Sequence, residues 1–463
     1  MDEHTFLNKF KPEAQAVIDQ HQIPGVSFGV QKDGEHIICS NFGYRHVEDH
    51  CETTQDTVFG IASMTKSFTC VAIMQLQEAG KLAVHDEVIK YLPEFKTPCD
   101  SHAAKVTIHH LMTHTSGLPP LPTNLYTRKR SLEKDPSVKD YPSLDLTRAS
   151  GDPIDTAEEL MDFIGKLDFK LLGDPGTEFS YSNDGYALLG AIISRVSGQT
   201  YEQYVTDHIL KPAGMTHSSF FIDDFKDYEN VTTLYAKRNG EVYAAPIWWD
   251  APASRAAGAL KSTVNDILKY TEIYRNGGVV HGKQILTSES VQQMIYPHVQ
   301  FEPDKFYGYG LRITPDYYGS TLIEHGGGSK GVSSFMSIIP EKDITGVVLT
   351  NLAGVPAHEI LLGALNVLQG KTFANRHSTP VTINIRVEDL HEFTGTYTSE
   401  EGMKLTFTIK EDKLMFDNGV TEQALQAISE QMFLDEGGSF IKFIKSGDKV
   451  ERVFCGSRQI FKD

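Results

Sequence analysis

The stretch Thr321-Leu-Ile-Glu-His-Gly-Gly-Gly-Ser-Lys-Gly-Val-Ser-Ser-Phe-Met-Ser-Ile-Ile-Pro-Glu-Lys-Asp-Ile-Thr-Gly-Val-Val-Leu-Thr-Asn351 carries the topology of this chain. It holds three apolar runs, Thr321 to Glu324, Val332 to Ile339 and Ile344 to Asn351. Turn chemistry at Gly326-Gly-Gly328 and at Pro340-Glu-Lys-Asp343 separates them, which predicts consecutive antiparallel strands. Far upstream, Gly25 to Val30 and His36 to Ser40 read as two more strands around the hairpin signal Lys32-Asp33-Gly34. Helical text lies outside both sets, from Phe6 to Gln22 and from Pro356 to Leu368, the latter closed by Gly370. Strands at both ends of a long segment imply one antiparallel sheet built from both ends, flanked by helices and interrupted by a helical insertion. This is an α+β architecture.

The middle of the chain fits an insertion. Ser63 to Ala79 has helical periodicity and stops at Gly80. Ile108 to Thr113, Thr156 to Leu167, Tyr186 to Val196 and Tyr201 to Leu210 also read as helices, and Thr263-Val-Asn-Asp266 is a capping-box pattern. Between Leu121 and Ile154 the text turns polar, proline-containing and aperiodic, as in a loop covering a site. After Gly370 come short alternating runs: Val381 to Ile385, Leu405 to Ile409, Leu414 to Phe416, Phe440 to Ile444 and Val450 to Phe454. They predict a small all-β barrel or sandwich.

Composition excludes several classes. The 463 residues include 43 Lys and Arg against 61 Asp and Glu, a net charge of −18. That argues against a nucleic-acid partner and against docking on an anionic membrane. No apolar run approaches the ~18 residues of a membrane span. The acidic start Met1-Asp-Glu-His-Thr-Phe lacks an apolar signal core. Five scattered cysteines without a CxxC fit reduced thiols, so a cytoplasmic location is expected.

Three motifs can carry chemistry. In Phe59-Gly-Ile-Ala-Ser63-Met-Thr-Lys66, Ser63 and Lys66 share a helix face, so the amine can sit over the hydroxyl. The helix N-terminus and burial both disfavour a protonated amine there, so Lys66 can take the serine proton. The same S-x-x-K spacing recurs in polar text at Ser131 and Ser446, and Ser63 can also be read as a plain N-cap. In Tyr181-Ser-Asn183, at a loop-to-helix junction, a phenol can relay a proton and an amide can bind substrate. The competing reading is a half-buried tyrosine beside a capping residue. In His325-Gly326-Gly327-Gly328 the missing side chains let a substrate reach backbone N–H groups, although a plain glycine-rich turn gives the same string. The i, i+4 histidine pairs His46/His50 and His110/His114 lack the partners of a zinc site. No metal and no organic cofactor is expected, and His114 reads as a buried hydrogen-bonded histidine.

Taken in order, Ser63-x-x-Lys66, Tyr181-x-Asn183 and His325-Gly-Gly327 resemble the serine β-lactamase and penicillin-binding-protein superfamily. The nearest branch is the class C β-lactamase-related serine hydrolases. His110 to Leu118 and Gly258 to Asp266 look like further landmarks, and the likeness covers about residues 8 to 370. It implies a β-lactamase/transpeptidase-like catalytic domain over 1–372, with the helical insertion within about 64–260. The tail, 380–463, is similar to the lipocalin-like barrel of some members, among them self-assembling peptidases that cut at D-amino acids. The resemblance further implies Ser63 as acylated nucleophile, Lys66 as its proton partner and Tyr181 as relay. Asn183 would bind the substrate amide, and the N–H groups of Ser63 and Gly328 would form the oxyanion hole. His325 stands where many β-lactamases have Lys, which keeps a weaker, pH-dependent charge for a substrate carboxylate. The expected function is a serine hydrolase acting on a small molecule or short peptide, with D-amino-acid-containing peptides in view. An esterase, a β-lactamase and a non-catalytic binding protein are the alternatives. The tail holds none of the three motifs. It is expected to be dispensable for Ser63 chemistry, while covering the mouth of the site or forming a homo-oligomer interface.

Overall fold

The computed structural model describes residues 2–34 and 36–463. Among these, one sheet contains β1 (Gly25–Lys32), β2 (His36–His46), β3 (Cys51–Glu52), β4 (Val299–Glu302), β5 (Lys305–Tyr307), β6 (Arg312–Thr314), β7 (Leu322–Ser329), β8 (Val332–Ile339) and β9 (Ile344–Thr350). Its order is β4-β5-β6-β7-β8-β9-β1-β2-β3, and every neighbouring pair is antiparallel. The two ends of the segment meet where β1 pairs with β9, from Val26 opposite Thr350 to Lys32 opposite Ile344. The fold is the α+β arrangement that the strand spacing implies.

Helices cover both faces of this sheet. Along α1 (Glu3–His21) the buried residues Phe6, Phe10, Ala14 and Ile18 fall four apart, one stripe of a helix. That stripe packs on the sheet beside the last helix of the segment, Ala357–Leu368, with the Phe10 ring 4.4 Å from Phe28 of β1. The opposite face holds the larger core, with α2 (Thr65–Glu78) at its centre. Eleven of the fourteen residues of α2 are buried, Lys66 among them, so this helix is enclosed on every side. α3 (Asn183–Ser197) packs beside it and starts three residues earlier than its apolar periodicity predicts, because Ser182 caps it by accepting from the Gly185 N–H. At Val264–Arg275 only half of the predicted capping box forms. Thr263 accepts from the Asp266 N–H, but the Asp266 carboxylate accepts from the His217 N–H and the Ser218 hydroxyl instead.

Four further expectations are corrected. The three glycines are not a turn: Gly326, Gly327 and Gly328 lie inside β7, opposite Phe335, Ser334 and Ser333 of β8, and the hairpin turns at Lys330-Gly331. A Cβ on Gly327 would lie 2.1 Å from the Ile61 carbonyl oxygen, so glycine here admits the approach of the Ser63 segment. The stretch from Leu121 to Ile154 is not a bare loop. It forms the short helices Thr123–Thr127 and Lys129–Leu132 and three 3₁₀ turns over its own core of Leu125, Leu132, Leu144 and Ala149. Tyr201 to Leu210 begins as α-helix to Val205 but ends as a π turn. Val381 to Ile385 forms no strand; Val381 is 83% exposed.

The second sheet contains β10 (Gly395–Thr398), β11 (Lys404–Lys410), β12 (Lys413–Asp417), β13 (Glu422–Ala424), β14 (Gln426–Ala427), β15 (Met432–Leu434), β16 (Phe440–Ser446), β17 (Lys449–Cys455) and β18 (Arg458–Lys462). Its order is β13-β12-β11-β10-β18-β17-β16-β15-β14. The two edge strands follow one another in sequence, so the sheet curls into a nearly closed barrel around Phe393, Tyr397, Phe407, Phe433 and Phe443.

The glycines of β7 give a clean test of this packing. Gly327→Ala drives a methyl into the Ile61 carbonyl and should cost about 1–3 kcal/mol, whereas Gly328→Ala meets nothing within 4 Å and should cost little. Urea denaturation of the two variants checks this, and equal losses would contradict it.

Candidate active site

The chain enters α2 through a 3₁₀ turn, Ala62–Met64. Ala62 has φ 44°, a left-handed conformation that costs a non-glycine residue about 1–3 kcal/mol. Ser63 sits inside this turn with no side-chain capping bond, so it is not serving as an N-cap. Its hydroxyl lines a cavity of about 400 Å³.

Lys66 lies one turn on, fully buried. Its Nζ is 3.2 Å from Ser63 Oγ, 2.8 Å from Asn183 Oδ1 and 2.6 Å from the Ala257 carbonyl oxygen. Burial, followed by the charges of Arg458 and Arg128, holds its pKa well below the usual lysine value. Donor arithmetic then orients the amine. Asn183 Oδ1 and Ala257 O can only accept, so in the neutral state of the amine they take its two N–H bonds and the lone pair faces Ser63 Oγ.

Tyr181 precedes the Ser182 cap, and its ring centroid is 4.7 Å from Lys66 Nζ. Burial pushes the phenol up to about 12, partly offset by a hydrogen bond with Ser63 and by the charges of Arg312 and Arg458. His114 locks this corner. Its carbonyl accepts from the Ser180 N–H, its Nδ1 accepts from the Ser182 N–H at 3.0 Å, and its ring lies 4.2 Å from that of Tyr181.

The network also fixes the state of His325. With Nδ1 of His114 accepting, Nε2 carries the proton and donates to Tyr307 OH at 3.2 Å. Tyr307 then donates to His325 Nε2 at 3.0 Å, and His325 Nδ1–H donates to the Gly326 carbonyl at 2.6 Å. Both imidazoles are therefore neutral, and burial holds both well below the usual histidine range. The expectation that His325 keeps a pH-dependent charge is not met, because both ring nitrogens are spoken for in a dry interior.

The charges in the cavity come from residues outside the three motifs. Arg312 of β6, Arg128 of the polar insert and the pair Arg458–Glu401 of the barrel all line it. Among the described residues, Arg312 and Arg128 have no carboxylate within ion-pair distance, while Arg458 donates to Glu401 from both Nε and Nη2. Three guanidiniums thus face one carboxylate. Asn124 and Trp249 also line the cavity. Arg128 belongs to the basic triplet Arg128-Lys129-Arg130, which marks the insert as a charged rim for the cleft, whereas Arg312, Arg458 and Glu401 stand in no such pattern and are brought in by long-range packing.

The insert is held in place by Lys330, from the β7–β8 turn. Its ammonium donates to the Asp135 carboxylate and to the Ile247 carbonyl. Asp135 also accepts from Trp249 Nε1 and from the N–H and hydroxyl of Ser137. The side chains of Lys330 and Asp135 are 1% and 2% exposed. Among the described residues no group of three or more His, Cys, Asp or Glu is placed to hold a metal. No described helix is long and apolar enough to cross a membrane.

A sheet with helices on both faces, a serine at the head of a buried helix, and a lysine, a tyrosine and a glycine strand around it define the β-lactamase type of fold and site. The sequence pattern of the Beta-lactamase family matches residues 10–369, and the chain belongs to that family. It is 29% identical to Protein flp of Staphylococcus aureus (strain MW2) over 338 residues, 72% of this chain and 61% of that relative. It is 27% identical to the putative penicillin-binding protein PbpX of Bacillus subtilis (strain 168) over 293 residues, 63% of this chain and 62% of that one. The chain thus spans about three fifths of the length of these curated relatives. Among solved structures it is similar to the octameric penicillin-binding protein homologue from Pyrococcus abyssi, with 29% identity and a TM-score of 0.69, covering 98% of this chain and 100% of that one. SurE shares the fold at 20% identity, with a TM-score of 0.72 over the whole of both chains.

Removing one partner of the Asp135–Lys330 pair leaves a buried charge. Lys330→Met should therefore cost about 3–5 kcal/mol, and the double variant Asp135→Asn/Lys330→Met clearly less. Chemical denaturation of the two variants measures the difference; equal losses would show that the pair is not coupled.

Proposed function

We propose that the chain is a serine hydrolase that cleaves amide bonds of short peptides through an acyl-enzyme, with peptides containing D-amino acids as the leading substrate class. The observation that carries this reading is the buried Lys66 amine, 3.2 Å from Ser63 Oγ and anchored by two pure acceptors. Ser63 Oγ attacks the scissile carbonyl carbon and its proton passes to Lys66. The oxygen of the tetrahedral intermediate accepts from the N–H groups of Ser63 and Gly328. Tyr181, beside both groups, passes a proton to the leaving amine as the bond breaks. Water enters for deacylation along the same relay. Asn183 positions Lys66 through Oδ1 and is left its amide N–H groups for the substrate. Gly326 and Gly327 supply strand backbone along which the substrate can lie. His325 serves by fixing that strand through Tyr307 and Gly326, not by charge.

Size and charge narrow the substrate. The insert and the barrel wall in the cavity, which favours short chains. The excess of guanidinium over carboxylate favours a substrate with a free carboxylate, such as a peptide C-terminus. SurE, similar in fold, has been solved with D-Leu, which is the reason to place D-configured peptides first in an assay panel. The Pyrococcus abyssi homologue is octameric. For this chain we propose a homo-oligomer, a catalytic unit over 1–372 with the barrel over 380–463, and a reducing, cytoplasmic setting in which its five cysteines stay free.

Ser63→Ala should abolish turnover and labelling by a fluorophosphonate, with a stability loss of roughly 1 kcal/mol or less, because the hydroxyl caps nothing. Mass spectrometry of the labelled protein and a panel of D- and L-peptide amides, short esters and a chromogenic β-lactam check both points. Wild-type turnover of any panel member by Ser63→Ala would end the reading.

A further inference from the structure

The turn between β17 and β18 reaches the site from a unit that holds none of Ser63, Lys66 or Tyr181. Two hydrogen bonds strap it to the segment before α3. The Tyr181 N–H donates to the Ser457 carbonyl at 2.8 Å, and the Gln459 N–H donates to Ser180 Oγ at 3.2 Å. Below them, Arg452 Nη1 donates to the Leu172 carbonyl at 2.9 Å and Gln459 Nε2 donates to the Phe179 carbonyl at 3.1 Å. Beyond this strap, the Arg458 guanidinium lies 5.2 Å from the centroid of the Tyr181 ring. Lys66 Nζ lies 4.7 Å from the same centroid. One phenol ring therefore touches both the amine beside Ser63 and a cation delivered by the barrel.

We infer that Arg458 is a positioning residue for the chemistry of Ser63: anchored by Glu401, it fixes the ring of Tyr181 and keeps a positive charge beside Lys66, which makes the barrel part of the acylation machinery. This rests on the serine-hydrolase reading above, and it reverses the expectation that the tail is dispensable for Ser63.

Two cations crowded into a dry site repel, and the one able to give up its proton is Lys66. The groups that face the Lys66–Tyr181 pair can be sorted by element. Arg312 and the neutral His325 lie on the sheet side, and Arg128 on the insert. His114, Tyr186, Tyr307 and Cys70 lie on the core side, and burial keeps the three proton-bearing acids among them protonated. Arg458 and Glu401 are the charges contributed by the barrel, and they act on Lys66 in opposite directions; both also face Asp184 in the first turn of α3, whose buried carboxyl is pushed up to about 7. Acylation needs the neutral amine, so the rate falls as pH drops through the Lys66 pKa. Removing the Arg458 charge raises that pKa and moves the acid limb to higher pH. Removing the Glu401 charge moves it to lower pH.

The test uses the full chain and a small alkyl fluorophosphonate, which has no carboxylate or peptide for Arg458 to bind. Its second-order rate with Ser63 is followed against pH for wild type, Arg458→Lys, Arg458→Met and Glu401→Gln. Arg458→Met should slow labelling near neutral pH by roughly tenfold or more and raise the acid limb by about half a unit to one unit. Arg458→Lys should restore the limb but only part of the rate, since a lysine lacks the planar fork. Glu401→Gln should lower the limb, and it decides the matter alone if Arg458→Met does not fold. A wild type that takes no label overturns the hydrolase reading itself. A labelled wild type with Arg458→Met unchanged, or with both variants moving the limb the same way, overturns this inference alone. So does an Arg458→Met variant that labels normally but raises KM for peptides, which would assign Arg458 to substrate binding.

Discussion

The arrangement of this protein depends on a lysine amine kept in a place that water does not reach. A helix as enclosed as α2 normally carries apolar side chains all round, and a buried ammonium is costly there. The structure resolves that cost by supplying acceptors from far along the chain. Asn183 comes from the first turn of α3 and Ala257 from the 3₁₀ segment Pro252–Ala257, while Ser63 presents its hydroxyl from the strained turn just upstream. Each has to be in place for the others to be useful. The capping of α3 by Ser182, the grip of His114 on residues 180–182 and the glycine gap under Ile61 are therefore parts of one solution.

The electrostatics differ between the surface and the site. The chain carries a net charge of −18, yet the cavity wall presents three guanidiniums and one carboxylate. At physiological salt the surface charge is screened beyond about 8 Å, so it acts weakly on a distant anion. Inside the cavity the low dielectric strengthens the arginines. The net charge of the whole protein therefore says little about the charge its ligand should carry. Two of the ion pairs near the site differ in reach: Lys330–Asp135 ties the insert to the β7–β8 turn, and Arg458–Glu401 belongs wholly to the barrel.

Much of this was legible in the sequence, for identifiable reasons. Ser63 and Lys66 are three apart across a 3₁₀ turn that runs straight into α2, so close spacing brings them into contact. The sheet was legible because β1, β8 and β9 are apolar runs bounded by turns. What escaped depends on contacts between distant segments. The glycines of β7 read as a turn because nothing local reveals the Ile61 carbonyl pressing on them. The insert read as a loop because its core uses few apolar residues spread among polar ones. Val381 to Ile385 has strand composition but forms no ladder; its Ile383 N–H donates to the Ala427 carbonyl of an edge strand without extending the pairing. His325 looked chargeable because its two partners, Tyr307 and the Gly326 carbonyl, close around it only in the folded chain.

The strap between Tyr181 and Ser457 has a consequence in time. Ser63, Lys66 and Tyr181 are all made long before the β17–β18 turn, which follows Ser63 by roughly 400 residues, or about 20–80 s of synthesis. Until then the cavity lacks one wall, Tyr181 lacks the carbonyl that holds its backbone, and Lys66 lacks a neighbouring charge. On the hydrolase reading proposed above, the nascent chain therefore carries its nucleophile on an unfinished scaffold, and docking of the barrel would complete the site, a built-in delay between making the serine and arming it.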